Sequence, residues 1–97
     1  MVKLKENTID FNIQDFLNTE EDVRQYLQSA IEENNPEFLI TAIGDVIRSK
    51  GFTKISKKMN VSREGLYKSF SGHSRPYYDT VFNALNVLGL KLSLTLK

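Results

Sequence analysis

Residues 52–70, with the sequence FTKISKKMNVSREGLYKSF, constrain the fold of this chain more than any other stretch. Ile55 and Met59 are spaced to form the apolar face of one short helix. Leu66 and Phe70, four residues apart, lie on one face of a second. The spacing therefore predicts two short helices joined by a tight turn, the helix-turn-helix arrangement with which proteins enter the DNA major groove.

The residues between the two helices suit a tight turn. Asn60 tolerates the left-handed backbone that such a turn often needs, and Val61 can fill the corner between the helices. Ser62 is a good N-cap for the second helix, and the small Ser56 lets the helices cross closely. Gly65 costs about 1 kcal/mol relative to alanine inside a helix. One interpretation is that the glycine allows a close approach of the backbone to DNA or to the first helix. The other is that the protein simply tolerates this cost.

The polar residues of the second helix are the candidate DNA-reading surface, because they are left pointing outward. Arg63 can grip guanine with two hydrogen bonds, and Glu64 can accept one from cytosine or simply orient Arg63. Tyr67 can reach a phosphate or a thymine methyl group. The alternative interpretation of Arg63 and Glu64 is an ordinary solvated helix face.

Other residues near this surface are predicted to contact phosphates, which position a protein on DNA without specifying sequence. Thr53 is the expected cap of the first helix, whose free N–H groups can hold a phosphate. The loop of residues 71–76 follows the reading helix directly, so its side chains are expected near the DNA backbone. The full candidate DNA-binding set is Thr53, Lys57, Ser62, Arg63, Glu64, Tyr67, Lys68, His73 and Arg75.

Composition narrows the class of protein. The 97 residues are enough for one domain and include no cysteine, which excludes disulfides and thiolate metal sites. With a single histidine and no nucleophile near a base, we expect no enzyme activity, no metal and no cofactor. No apolar run is long enough to span a membrane, and the N-terminus lacks a signal core, so a cytoplasmic location is expected.

The charge is divided unevenly along the chain. The total is only +1, but residues 1–45 carry −7 and residues 46–97 carry +8. The basic half favours nucleic-acid binding and leaves the acidic half for another partner. The alternative is a surface on which the charges happen to segregate.

Three further helices are predicted around the central segment. The first covers residues 19–34 with Asn18 or Thr19 as its cap, the second follows Asn35 and ends before Gly51, and the last covers residues 77–88. Their apolar stripes are Val23, Tyr26, Leu27, Ala30 and Ile31, then Leu39, Ala42, Ile43, Val46 and Ile47, and finally Tyr78, Val81, Phe82, Leu85 and Leu88.

The two ends of the chain alternate between apolar and polar residues. Residues 1–18 contain Ile9, Phe11 and Ile13 and are predicted to be a short strand or an arm, either folded over the core or covered by a partner protein. Residues 90–97 are predicted to be a half-buried strand that needs a partner, either this arm or the same strand of a second copy. The residues expected to form a homodimer are Leu90, Leu92, Leu94 and Leu96.

Several of these motifs together resemble the probable addiction-module antidote proteins, over roughly residues 11–96. The resemblance rests on SREGLYK at residues 62–68 with Ser71-Gly72, and on Tyr26-Leu27, Gly44-Asp45 and LGLKL at residues 88–92. Asn60 stands where relatives often carry glycine. The family implies a mostly α, five-helix, phage-repressor-like helix-turn-helix domain of residues 1–97 with a C-terminal strand.

The resemblance also implies a function. Such antitoxins neutralise a small toxin encoded beside them, often one that cleaves RNA, and bind operator DNA to repress their own operon. Because such toxins tend to be basic, the acidic half is the expected toxin surface. Two alternatives stay open: a stand-alone transcriptional regulator without a toxin, and a protein-interaction module that has lost DNA binding.

Overall fold

The computed structural model describes residues 16–72 and 74–96, which form five helices. These are α1 (Glu20–Glu32), α2 (Pro36–Lys50), α3 (Phe52–Met59), α4 (Arg63–Ser69) and α5 (Tyr78–Val87). The arm predicted around Ile9–Ile13, the loop residue His73 and the terminal Lys97 lie outside the described residues. The mostly α, five-helix class is confirmed, and no described helix is long and apolar enough to cross a membrane.

The first two helices begin and end as their capping residues predict. The Thr19 hydroxyl accepts a hydrogen bond from the Asp22 N–H at 3.0 Å, and the Asp22 carboxylate accepts one from the Thr19 N–H at 3.1 Å. This reciprocal capping box starts α1. The Asn35 side chain caps α2, Pro36 occupies its first turn, and Gly51 ends it at a φ of 100°.

Helices α3 and α4, with turn residues 60–62 between them, are called the helix pair below. Asn60 ends α3 in the left-handed conformation, with a φ of 61°, and the Val61 N–H donates to the Ser56 carbonyl at 3.0 Å. The Ser62 hydroxyl then accepts the Gly65 N–H at 3.0 Å and starts α4. The tight turn and the serine cap are therefore both confirmed.

The core is centred on α2. This helix packs against α1 and α3, and α3 also packs against α4 and α5. The largest fully buried side chains are Ile43, Val46, Ile47, Ile55 and Leu66. The helix pair therefore lies on the same core as the acidic first helix rather than forming a separate unit.

Gly44 lets the end of the helix pair approach α2 very closely. A Cβ atom at Gly44 would overlap the Phe70 carbonyl oxygen and would lie 3.3 Å from the Phe70 Cβ. Phe70 is itself buried, with 3% of its surface exposed. The absence of a side chain at Gly44 thus determines how closely the C-terminal end of α4 rests on α2.

Three local predictions around the helix pair and α5 are wrong. Thr53 does not cap α3, because the helix already begins at Phe52 after Gly51 and no side chain caps it. Val61 does not fill the corner, since it is 44% exposed. Tyr78 and Phe82 were expected in the apolar stripe of α5, but α5 buries Ala84 and Leu85 and leaves those two rings exposed.

The predicted C-terminal strand is also wrong for the chain as described. Gly89 adopts a φ of 85°, and the Leu90 N–H donates to the Leu85 carbonyl at 2.9 Å, which ends α5. Residues 91–96 form neither helix nor strand, and Leu94 and Leu96 are 99% and 100% exposed. A strand requires a neighbouring backbone to bond, and no segment within residues 16–72 or 74–96 supplies one.

Candidate nucleic-acid interface

The exposed side of α4 brings together the four residues predicted to read DNA. Arg63, Glu64, Tyr67 and Lys68 are all exposed, whereas Leu66 on the opposite side is buried. The helix is short, and the Ser62 cap and the buried Leu66 hold it with this side outward. The arrangement presents one guanidinium, one carboxylate, one phenol and one ammonium group on a single helical surface, the mixture that contacts base edges and phosphates.

Tyr67 is held in place by an aromatic contact with α3. Its ring meets the Phe52 ring edge to face, with centroids 5.4 Å apart and planes at 65°. Phe52 is 7% exposed, whereas Tyr67 is 46% exposed. The phenol therefore lies partly in solvent on a ring that the core supports.

The same Phe52 ring also lies close to a cation, the guanidinium group of Arg48 on α2. The guanidinium carbon of Arg48 lies 5.7 Å from the Phe52 ring centroid, within the range of a cation–π contact. Arg48 also pairs with Asp45 at 3.5 Å, and the Tyr26 hydroxyl donates to the other Asp45 oxygen at 2.7 Å. Burial, and then this bond to Asp45, raise the pKa of Tyr26 above its usual value.

The surface around the helix pair is strongly basic. Residues 46–70 carry seven basic side chains and the single acidic Glu64, a net charge of +6. Within the described part of the chain, no carboxylate pairs with any of five exposed members of this set, which are Lys54, Lys57, Lys58, Arg63 and Lys68. Unpaired cations concentrated on two adjacent helices are an electrostatic feature that suits phosphate binding.

The structure shows no close approach of α3 to Gly65. A Cβ atom there would lie 2.9 Å from the Ser62 hydroxyl oxygen that accepts the Gly65 N–H. Within this chain the close approach is therefore made by the capping serine rather than by α3. The same kind of bond forms at Asp22 of α1, which carries a Cβ atom, so the serine cap does not by itself require a glycine here.

The loop after α4 runs back over α2. A Cβ atom at Gly72 would lie 3.2 Å from the Thr41 hydroxyl, and the Arg75 guanidinium lies 3.7 Å from the Glu37 carboxylate. Both side chains of that pair are largely exposed, so the pair holds the loop only weakly. Arg75 is thus placed near the first turn of α2, and its expected phosphate contact stays a prediction.

The opposite half of the described chain is acidic. Residues 16–45 carry seven acidic side chains and the single basic Arg24, a net charge of −6. The Arg24 guanidinium binds Glu21 through two nitrogens, and this bond holds the pKa of Glu21 down at about 2. Glu32, the last residue of α1, and Glu33, which follows it, are both exposed.

Sequence reasoning missed the contacts that connect Tyr67 of α4 with α3 and α2. Neither Arg48 near the end of α2 nor Phe52 at the start of α3 was among the residues predicted to act at this surface. The spacing of four residues between them was the available signal, because it would place both on one side of a continuous helix. Gly44 carried a similar signal, since a glycine inside a helix often indicates close packing.

Together the fold and the site define a small, mostly α protein in which two short helices joined by a tight turn expose a basic face. The chain belongs to the family described as probable addiction module antidote proteins, whose family model matches residues 7–96. It is 34% identical over 88 residues to an uncharacterized protein of Haemophilus influenzae, an alignment that covers 91% of each chain. No solved structure matches it significantly.

Proposed function

We propose that this chain is the antitoxin of a toxin–antitoxin module, which binds operator DNA through the helix pair and neutralises a cognate toxin. The observation that carries the DNA-binding proposal is the outward face of α4, where Arg63, Glu64, Tyr67 and Lys68 share one exposed surface. Membership of the antidote family supports the antitoxin role.

On DNA, α4 would enter the major groove as the reading helix of a helix-turn-helix. Arg63 would read guanine, with Glu64 either reading cytosine or orienting Arg63, and Tyr67 would contact a phosphate or a thymine methyl group. Phosphate contacts would come from the exposed Lys57 and Lys68, from Arg75 and His73 in the following loop, and from the start of α3 near Thr53. Ser62 would act by capping the reading helix.

The cognate toxin would bind the acidic half of the molecule. The charge of −6 over residues 16–45 complements a basic protein and would repel DNA. Exposed Glu32 and Glu33 offer a test of this surface. Exchange of both for lysine should weaken capture of the small protein encoded beside this chain without altering DNA affinity; unchanged capture would place the toxin elsewhere.

A second copy of the chain would cover the exposed leucines at the C-terminus. Leu90 packs against the core and anchors this segment, whereas Leu94 and Leu96 are fully exposed. A homodimer would also present two reading helices, and the half-sites of dimeric helix-turn-helix proteins lie about 34 Å apart on DNA. Deletion of residues 92–97 should yield a monomer with much weaker operator affinity, and a truncated protein that still sediments as a dimer would contradict this.

The first experiment titrates the protein onto the DNA upstream of its own gene at several salt concentrations. Wild type should bind tightly, and its affinity should fall steeply with salt because each neutralised phosphate releases counterions. Arg63→Ala should reduce the preference for this DNA over unrelated sequence by roughly 5- to 150-fold, the discrimination that one bidentate base contact supplies. Lys57→Ala should weaken binding to all sequences and lower the salt slope by about one.

Arg24→Ala is the control, because Arg24 is an exposed cation on α1, outside the helix pair and outside the C-terminal residues proposed to form the dimer. It should behave as wild type. Weak binding that is alike on every sequence and indifferent to Arg63 would refute the repressor proposal and leave a protein-interaction module. Tight operator binding by a protein that captures no toxin would instead identify a stand-alone regulator.

A further inference from the structure

Five side chains from four helices form a continuous series of contacts that ends at the reading face. The Tyr26 hydroxyl of α1 bonds Asp45 of α2 at 2.7 Å, and Asp45 pairs with Arg48 at 3.5 Å. Arg48 lies over the Phe52 ring of α3 at 5.7 Å, and that ring meets the Tyr67 ring of α4 at 5.4 Å. Only the last of these residues belongs to the proposed DNA-reading set.

We propose that Arg48 and Phe52 are positioning residues that hold Tyr67 in its DNA-reading orientation, and that Tyr26 acts on the same face through Asp45. This inference rests on the proposed DNA binding by α4. It goes beyond that function, because the preference for operator DNA would also depend on residues outside α4. One of these residues lies on the acidic helix α1.

Arg48 joins the polar contacts of this series to the aromatic ones. Its guanidinium carbon lies 5.7 Å from the centre of the Phe52 ring and one of its nitrogens lies 3.5 Å from an Asp45 oxygen. Both contacts restrict a side chain that is 44% exposed. Arginine combines these two contacts because its planar group stacks on rings and pairs with carboxylates at once. Lysine keeps the charge but not the planar stack, so the two residues are not equivalent at this position.

Phe52 transmits the restraint to α4. Its ring is almost fully buried, and the edge-to-face contact with Tyr67 has a preferred geometry, as aromatic pairs generally do. Tyr67, by contrast, is nearly half exposed and has no hydrogen bond to another described side chain. The orientation of its phenol therefore depends mainly on the ring beneath it.

The decisive experiment compares Arg48→Lys with Arg48→Gln in the DNA titration described above. If Arg48 positions Tyr67, both variants should lower the preference for operator over unrelated DNA by roughly 2- to 30-fold, the range that residues outside a contact surface produce. Arg48→Lys should keep the salt slope of wild type. If Arg48 instead contacts phosphate as a simple charge, Arg48→Lys will retain wild-type preference, and that result would overturn the proposal.

A double-mutant cycle with Tyr67→Ala tests whether Arg48 acts through Tyr67. Arg48→Gln should have little further effect on sequence preference once the Tyr67 ring is gone, because the two changes remove one coupled unit. Full additivity of the two effects would refute the positioning role. Arg24→Gln is the matched control, since Arg24 also pairs with a carboxylate three residues earlier but stacks on no ring among the described residues.

Nuclear magnetic resonance of the free protein separates this inference from the proposed function. The ring protons of Tyr67 should shift in Arg48→Gln and, to a smaller degree, in Tyr26→Phe, whether or not the protein binds DNA. Shifts in both variants without any DNA preference would retain the positioning network and refute the repressor. Unchanged Tyr67 resonances in Arg48→Gln would refute the network, and unchanged resonances in Tyr26→Phe alone would remove α1 from it.

Discussion

The helix pair carries a regular apolar pattern, and so do the C-terminal residues 90–96, here called the leucine segment. Only the helix pair buries all the apolar residues of its pattern. In the helix pair, Ile55 and Leu66 are each 1% exposed. In the leucine segment, Leu94 and Leu96 are at least 99% exposed and the backbone forms no regular structure. The difference arises from the backbone hydrogen bonds that a helix and a strand each require.

A helix satisfies its own backbone hydrogen bonds, so an apolar stripe on it needs only a core to face. A strand leaves its N–H and C=O groups unsatisfied until another strand lies beside it. The helix pair finds its core within the described chain, on α2. The leucine segment finds no such neighbour within the described residues, so its alternation does not become a strand there.

The sharpest test of this comparison removes a leucine from each region. Leu66→Ala should cost about 2–5 kcal/mol of the free energy of unfolding, because the lost side chain leaves a cavity in the core. Leu94→Ala should change it by less than about 0.5 kcal/mol in protein dilute enough to be monomeric. Chemical denaturation of both variants measures the difference. A large loss in dilute Leu94→Ala would show that the leucine segment packs within its own chain.

The next largest loss of stability is expected at Gly44, where α2 contacts the end of the helix pair. Gly44→Ala should destabilise the protein by about 1–3 kcal/mol, since its methyl group would overlap the Phe70 carbonyl and force α4 away from α2. The gain in helix propensity, about 1 kcal/mol at most, offsets this only in part. Thermal denaturation measures this loss of stability. Lys50→Ala, at an exposed position of the same helix, is the control. Equal stability of Gly44→Ala and wild type would mean that α4 can shift without cost.

Removal of the cap tests how far the helix pair depends on local bonds. Ser62→Ala should cost about 1 kcal/mol, because the Gly65 N–H loses its acceptor at the start of α4. Thr19→Ala, which removes the capping hydroxyl of α1, should cost a similar amount. The two differ in function: only Ser62→Ala should also weaken operator binding. Equal loss of binding in both would indicate a general effect of stability.

The smallest effect concerns the hydrogen bond between α1 and α2. Tyr26→Phe should cost about 1 kcal/mol near neutral pH, when the hydroxyl donates to Asp45. The pKa of Tyr26 is raised in the folded protein, so the unfolded chain loses this proton first, from about pH 10 upward. The stability difference between wild type and Tyr26→Phe should therefore be full below pH 10 and shrink above it. A difference that stays constant to pH 11 would contradict the assigned bond.

Helix ends and the tight turn were predictable because they depend on residues close together in the chain. Thr19 and Asp22, Asn35 and Pro36, and Ser62 and Gly65 each satisfy backbone groups within one helical turn. The Thr53 cap failed even at this range, since α3 follows Gly51 directly and begins two residues earlier than that cap would allow. The exposed reading set on α4 was equally local, because Leu66 alone defines its buried side.

The sequence by itself thus determined the five helices, the left-handed Asn60 and the division of charge, all of which follow from neighbouring residues and composition. Only the tertiary structure decided which patterns became buried and which side chains contact one another between the helices. The bond from Tyr26 to Asp45 joins residues 19 positions apart, and the contact of Phe52 with Tyr67 joins separate helices. Such contacts depend on the angles at which helices pack, and periodicity along one chain does not encode those angles.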